Sequence, residues 1–82
     1  MGLALRITFD PDANAAFIYL VPDIGPGEVV HTHMCDVEIR EGAIILDFDA
    51  DDRLLGVEIL GATSLLPESV LLQAERSGGK LE

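Results

Sequence analysis

From Leu3 to Phe9 the chain alternates, with Leu3, Leu5, Ile7 and Phe9 on one side and Ala4, Arg6 and Thr8 on the other. A period of two sends successive side chains to opposite faces, so this stretch predicts a half-buried strand. Asp10-Pro11-Asp12-Ala13-Asn14 follows, dense in turn formers: proline presets φ, and short acid or amide side chains bond nearby backbone N–H groups. Ala15 to Val21 is apolar on both sides, which predicts a central strand covered on both faces and a hairpin with the first. On such a strand Tyr19 is expected in the core with its hydroxyl bonded.

Pro22 to Gly27 reads as a loop and Glu28 to Arg40 as a third extended segment, long enough to bend. Glu41-Gly42 turns the chain into a fourth strand, Ala43 to Asp49. Asp49 to Asp52 turns it again into a fifth, Arg53 to Leu60, in which Gly56 marks a bulge or a close backbone approach. After Gly61 the period changes. Leu66, Val70 and Ala74 step by four, Pro67 suits a first helical turn, Glu68 the positive helix end and Gly78 a C-terminal cap. The expected fold is α+β: a four- to five-stranded, mainly antiparallel meander sheet with one C-terminal helix packed on one face.

Length adds one constraint. At 82 residues the chain has room for one core, and residues 1–80 are expected to form a single small domain. Leu81-Glu82 reads as a tag junction. Apolar residues make up 49%, a large share for so small a body, so part of that surface needs a partner.

Charge narrows the partner classes. With 15 acids against 5 bases the net charge is -10, which repels nucleic acid and anionic membrane. One cysteine makes no internal disulfide, and no apolar run approaches the ~20 residues of a membrane helix. The start has no basic, apolar signal pattern, so a cytoplasmic protein is expected.

Three candidates carry chemistry. His31, His33 and Cys35 alternate along one strand face and offer imidazole and thiolate to a transition metal, or a thiolate activated by a neighbouring imidazole. That face continues through Val29, Val37 and Ile39, and no fourth ligand stands at metal-like spacing, so partly buried histidines bonded to backbone are the plainer expectation. Asp47, Asp49, Asp51 and Glu58 fall at positions of a calcium loop, but Asp52 stands where such a loop needs glycine, and strands flank it. Asp10, Asp12 and Asn14 imitate the start of one and offer Val21 at its end. Acid-rich turns account for both. No catalytic motif or cofactor loop is present, and no cofactor is expected.

Phe9-Asp10, Ala15 to Tyr19, Ala43 to Asp49, Asp51-Asp52 and Gly56 to Leu60, with the exit Thr63 to Pro67, together resemble a family of small prokaryotic proteins, domain of unknown function 2283. The likeness spans most of Ile7 to Pro67. Asp52 departs from the turn glycine usual there, and the His-x-His-x-Cys set lies outside the pattern. The resemblance brings no established activity and no catalytic residues. It does imply a partner-binding, antitoxin-like role for members encoded beside small toxin-like proteins.

The functional expectation is therefore a non-catalytic interaction module that pairs with itself as a homodimer and can take a small basic protein partner. The alternative is a metal-binding protein or minor enzyme using His31, His33 and Cys35. A helix of roughly ten residues, about 15 Å long, covers one face of a small sheet and leaves the other open. The interface candidates are the second-strand residues Ala16, Phe17, Ile18, Tyr19 and Leu20, whichever face is left uncovered, with edge-strand pairing as a second route.

Overall fold

The computed structural model of the chain describes residues 5–35 and 41–76. Strands β1 (Arg6–Asp10) and β2 (Ala15–Tyr19) form the expected antiparallel hairpin. Its turn is built by the residues that announced it. Asp10 Oδ1 accepts the N–H of Asp12 at 3.0 Å, and Asn14 takes the left-handed conformation with φ 52°.

Strands β3 (His31–Met34), β4 (Ala43–Phe48) and β5 (Leu54–Leu60) make an antiparallel run, and β5 then pairs with β2. A short β6 (Glu75–Arg76) lies parallel to β1. The result is one six-stranded mixed sheet of order β3-β4-β5-β2-β1-β6. This corrects the expected four- to five-stranded meander. The loop after β2 carries the chain to the far edge instead of to the next place, and the chain leaving the helices returns to the other edge as β6. Residues 36–40, which include the end of the expected third segment, lie outside the described residues, as do the expected cap Gly78 and Leu81-Glu82.

The single expected helix is two short ones, α1 (Ala62–Leu65) and α2 (Glu68–Gln73). Pro67 causes the break. The residue before a proline is pushed out of the helical region, and Leu66 is extended with φ -109° and ψ 144°. Pro67 itself is the extended N-cap of α2 rather than a residue of its first turn. Both helices sit on the face that carries Phe9, Ala16 and Ile59, where Ala62 is fully buried. Ile44, Leu65, Leu66 and Leu71 pack around that cluster.

Asn14 ties the hairpin to this layer. Its carbonyl accepts the N–H groups of Gly61 and Ala62 at 2.9 and 3.0 Å. Its side-chain oxygen accepts the N–H of Thr63 at 3.0 Å, and its amide donates to Thr63 Oγ1 at 3.0 Å. The free N–H groups at the start of α1 are thus bonded from a different part of the chain.

Candidate functional site

Alternation along the strands assigns each side chain to a face, and pairing register aligns the faces across the sheet. Ile7, Phe9, Ala16, Ile18, Val57, Ile59, Ile44 and Leu46 belong to the helix face. Arg6, Thr8, Phe17, Tyr19, Gly56, Glu58, Ile45 and Asp47 belong to the opposite, open face. The interface candidates of β2 therefore divide. Ala16 is buried beneath the helices, and Ile18 shares its face. Phe17 and Tyr19 lie on the open face, half-buried, beside half-buried Ile45 and more exposed Met34 and Leu60.

Two rows cross the open face. In one, Arg6, Tyr19, Gly56, Asp47 and Thr32 stand opposite one another on β1, β2, β5, β4 and β3. In the next, Thr8, Phe17, Glu58, Ile45 and Met34 do the same. The Arg6 guanidinium lies over the Tyr19 ring, 4.1 Å from its centroid, a cation–π contact. Tyr19 is thus not the core residue expected, but the seat of a charged group. It meets Phe17 edge-on at 4.6 Å between ring centroids. The Phe17 ring in turn lies over Gly56, where a Cβ would stand 2.5 Å from its Cζ. The close approach foreseen at Gly56 is thus the seating of an aromatic ring.

Beyond Gly56 lies the least expected feature. Asp47 is buried, 3% exposed, on β4 rather than in the solvated turn. Glu58 stands beside it, and its carboxyl is pushed above its ordinary range, first by desolvation and then by the hydrogen bond and charge of Asp47. Ionisation of the Glu58 carboxyl is thus disfavoured at this place on the sheet. Among the described residues, the buried side-chain polar atoms without a hydrogen-bond partner are Asp47 Oδ1 and Arg6 Nε. Both belong to the open face.

The other acids are occupied in turns. Asp49 accepts the N–H groups of Asp51 and Arg53 at 2.8 and 3.0 Å. The Arg53 N–H is the main reason its carboxyl lies below the ordinary range. Arg53 also pairs with Asp51 at 3.1 Å. Asp52 fills the expected glycine place with φ 61°. Four acids that imitate a calcium loop thus separate into a turn, which uses Asp49 and Asp51, and a sheet face, which holds Asp47 and Glu58.

His31 and His33 are exposed on the edge strand β3, not partly buried, and Cys35 is half-buried just beyond it. The His31 ring leans on Phe48 at 5.9 Å. Among the described residues no three His, Cys, Asp or Glu side chains gather closely enough to hold a metal ion. A shallow cavity of about 240 Å³ opens between β1 and α2. Its lining of Leu5, Ile7, Ser69, Val70, Gln73 and Ala74 carries no titratable group.

Sheet order and the paired motifs on β1–β2 and β4–β5 define the class, a small α+β domain built on two hairpins. The family model described as protein of unknown function (DUF2283) matches residues 6–62, most of the chain, and the protein belongs to that family. No curated protein and no solved structure matches the chain. No helix among the described residues is long and apolar enough to cross a membrane.

Proposed function

We infer that the chain is a non-catalytic interaction module and that the open face of its sheet is the binding surface. One observation carries this reading. Both helices pack on one face, while the other presents Phe17, Tyr19, Ile45, Met34 and Leu60 with no layer above them among the described residues. Contiguous apolar surface of this kind marks protein contact in soluble domains, and aromatic side chains contribute most strongly at such contacts. His31 and His33 stand opposite Phe48 and Leu46, on the other face of β3 from Thr32 and Met34, so neither histidine reaches the carboxyl pair from β3.

A second copy and a small basic protein are both admissible partners. The charge of -10 steers the latter towards the surface, in keeping with an antitoxin-like role. The test is light scattering over a dilution series of the untagged protein, together with identification of what it retains from its own cell. Association through this face is expected to be lost in Phe17→Asp and kept in Leu72→Asp, a change at an exposed helix position. An associating protein that Phe17→Asp leaves intact, or one that neither self-associates nor retains anything, defeats the reading.

A further inference from the structure

We propose that the open face binds a second copy of this chain about a two-fold axis that runs parallel to the strands, above the line between β5 and β2. The proposal rests on the reading of this face as a binding surface and goes beyond it by naming the partner and the register. Strand order β3-β4-β5-β2-β1-β6 has its midpoint at that line. A half-turn there exchanges β1 with β4 and β2 with β5. Directly opposed positions in one row run Arg6, Tyr19, Gly56, Asp47. The exchange therefore sets Arg6 of each copy over Asp47 of the other.

The two side chains so matched are those with unmet demands. Arg6 Nε and Asp47 Oδ1 are buried without hydrogen-bond partners, and this base and acid stand two strands from the axis on either side of it in one row. A buried polar atom without a partner is costly, and a charge-assisted hydrogen bond removes that cost. An isologous interface repeats each contact, so one pairing rule satisfies both atoms in both copies. The same half-turn sets Phe17 of each copy over Glu58 of the other and Tyr19 over Gly56, which gathers the aromatic side chains near the axis, where such anchors belong.

The rival axis, across the strands, places β1 over β1 and β4 over β4. Arg6 then shares a side with the partner's Arg6, and the two carboxyl pairs share the other, which like-charge repulsion disfavours. A purely basic partner satisfies Asp47 but leaves Arg6 facing a like charge. The self-complementary pattern favours a second copy. Asp12, Asp49, Asp51 and Asp52 sit in turns at the strand ends, at the rim of such an interface.

A charge exchange between two variants tests the register. Arg6→Glu and Asp47→Arg are prepared separately, checked for fold by circular dichroism, and studied alone and as an equimolar mixture by sedimentation velocity. Each alone is expected to self-associate at least about tenfold more weakly than the parent. In the mixed pair both Arg6–Asp47 contacts are restored with reversed or native sign, and a one-to-one heterodimer of near-parental affinity is expected. If Asp47→Arg does not fold, Asp47→Asn, which keeps the shape of the side chain, takes its place: mixed with Arg6→Glu it restores one native Arg6–Asp47 contact and removes an acid–acid contact, so the mixed pair is expected to associate more tightly than Arg6→Glu alone. A parent dimer abolished by Phe17→Asp, with no heterodimer in the mixture, overturns the axis while the binding face stands. A monomeric parent that retains a heterologous protein through Phe17 overturns the second copy and likewise leaves the face standing.

Discussion

The two faces of this sheet use similar side chains to different ends. On the helix face Phe9, Ala16, Ile59 and Ala62 lie in one buried cluster beneath α1 and α2, and the only demand is close packing. On the open face a comparable set of apolar groups is interrupted by Arg6, Asp47 and Glu58. Phe17 and Tyr19 are held there by an edge-on ring contact, a cation and a missing side chain at Gly56. Charges in a core reduce stability, so a face that keeps three of them beside two aromatic rings is not arranged as a core. On the reading proposed above, the helix face stabilises the fold and the open face is the binding surface.

The largest test of that contrast is Ile59→Ala. It removes part of a side chain that is 5% exposed at the centre of the covered cluster, and is expected to cost about 3 kcal/mol of unfolding free energy. Self-association, measured on the fraction that stays folded, is expected to persist. Chemical denaturation and light scattering on the same sample separate the two. A variant that keeps parental stability but becomes monomeric inverts the assignment of the faces.

Gly56→Ala probes the open face from within. The new Cβ meets the Phe17 ring at 2.5 Å and the Ile18 carbonyl oxygen at 2.8 Å, so the ring must leave its seat. Overpacking of this kind costs on the order of 1–3 kcal/mol. Both the denaturation midpoint and the association constant are expected to fall. Adding Phe17→Leu, which has no ring to displace, is expected to recover part of the stability but not the association. No recovery in the double variant shows that the Ile18 carbonyl, and not the ring, sets the cost.

Much of this was readable in the sequence, and the failures have definite causes. Alternation in Leu3 to Phe9 and turn chemistry at Asp10 to Asn14 were local signals, and the β1–β2 hairpin followed from them. Gly56 signalled a close approach but not the ring that makes it, because Phe17 is distant in the chain. The pairing of β2 with β5, and β6 at the edge, are likewise set by long-range contacts that no period records. The sequence places Asp47 on the fourth strand but groups it with the solvated acids Asp49 and Asp51 of the turn that follows, whereas the structure buries it. Only the register that sets Asp47 opposite Gly56 reveals a buried acid. The histidines were expected on an apolar side, but β3 is an edge strand, and an edge leaves both exposed.

A smaller effect is expected at the seam between hairpin and helix layer. Asn14→Ala removes both side-chain bonds to Thr63 and forces a Cβ-bearing residue without a polar group into φ 52°. A loss of about 1–2 kcal/mol is expected, near the range for a lost helix cap. Asn14→Gly keeps the backbone conformation and loses only the bonds, so it is expected to be the milder change. Equal losses assign the whole effect to the side chain, and hydrogen exchange at Thr63 checks which bonds opened.

The smallest expected effect lies in pH, and it again sets one region against another. Glu58 in the folded chain titrates above its ordinary value of 4.5, so its carboxyl favours the folded state while protonated. That contribution is present below 4.5 and is lost as pH rises through the raised value. Asp49 in the β4–β5 turn behaves oppositely: it lies below 3.8, favours folding when ionised, and loses that contribution as pH falls through the lowered value. Glu58→Gln keeps a neutral side chain of similar shape at every pH. It is expected to be more stable than the parent at neutral pH, with the gap closing as pH falls past 4.5. Asp49→Asn is expected to be less stable than the parent at neutral pH, with its gap closing only at still lower pH. Denaturation midpoints for the three proteins over a pH series measure both gaps. A Glu58→Gln protein less stable than its parent at neutral pH shows that the ionised Glu58 carboxyl is held by a partner on the open face, and overturns the upward direction of its titration.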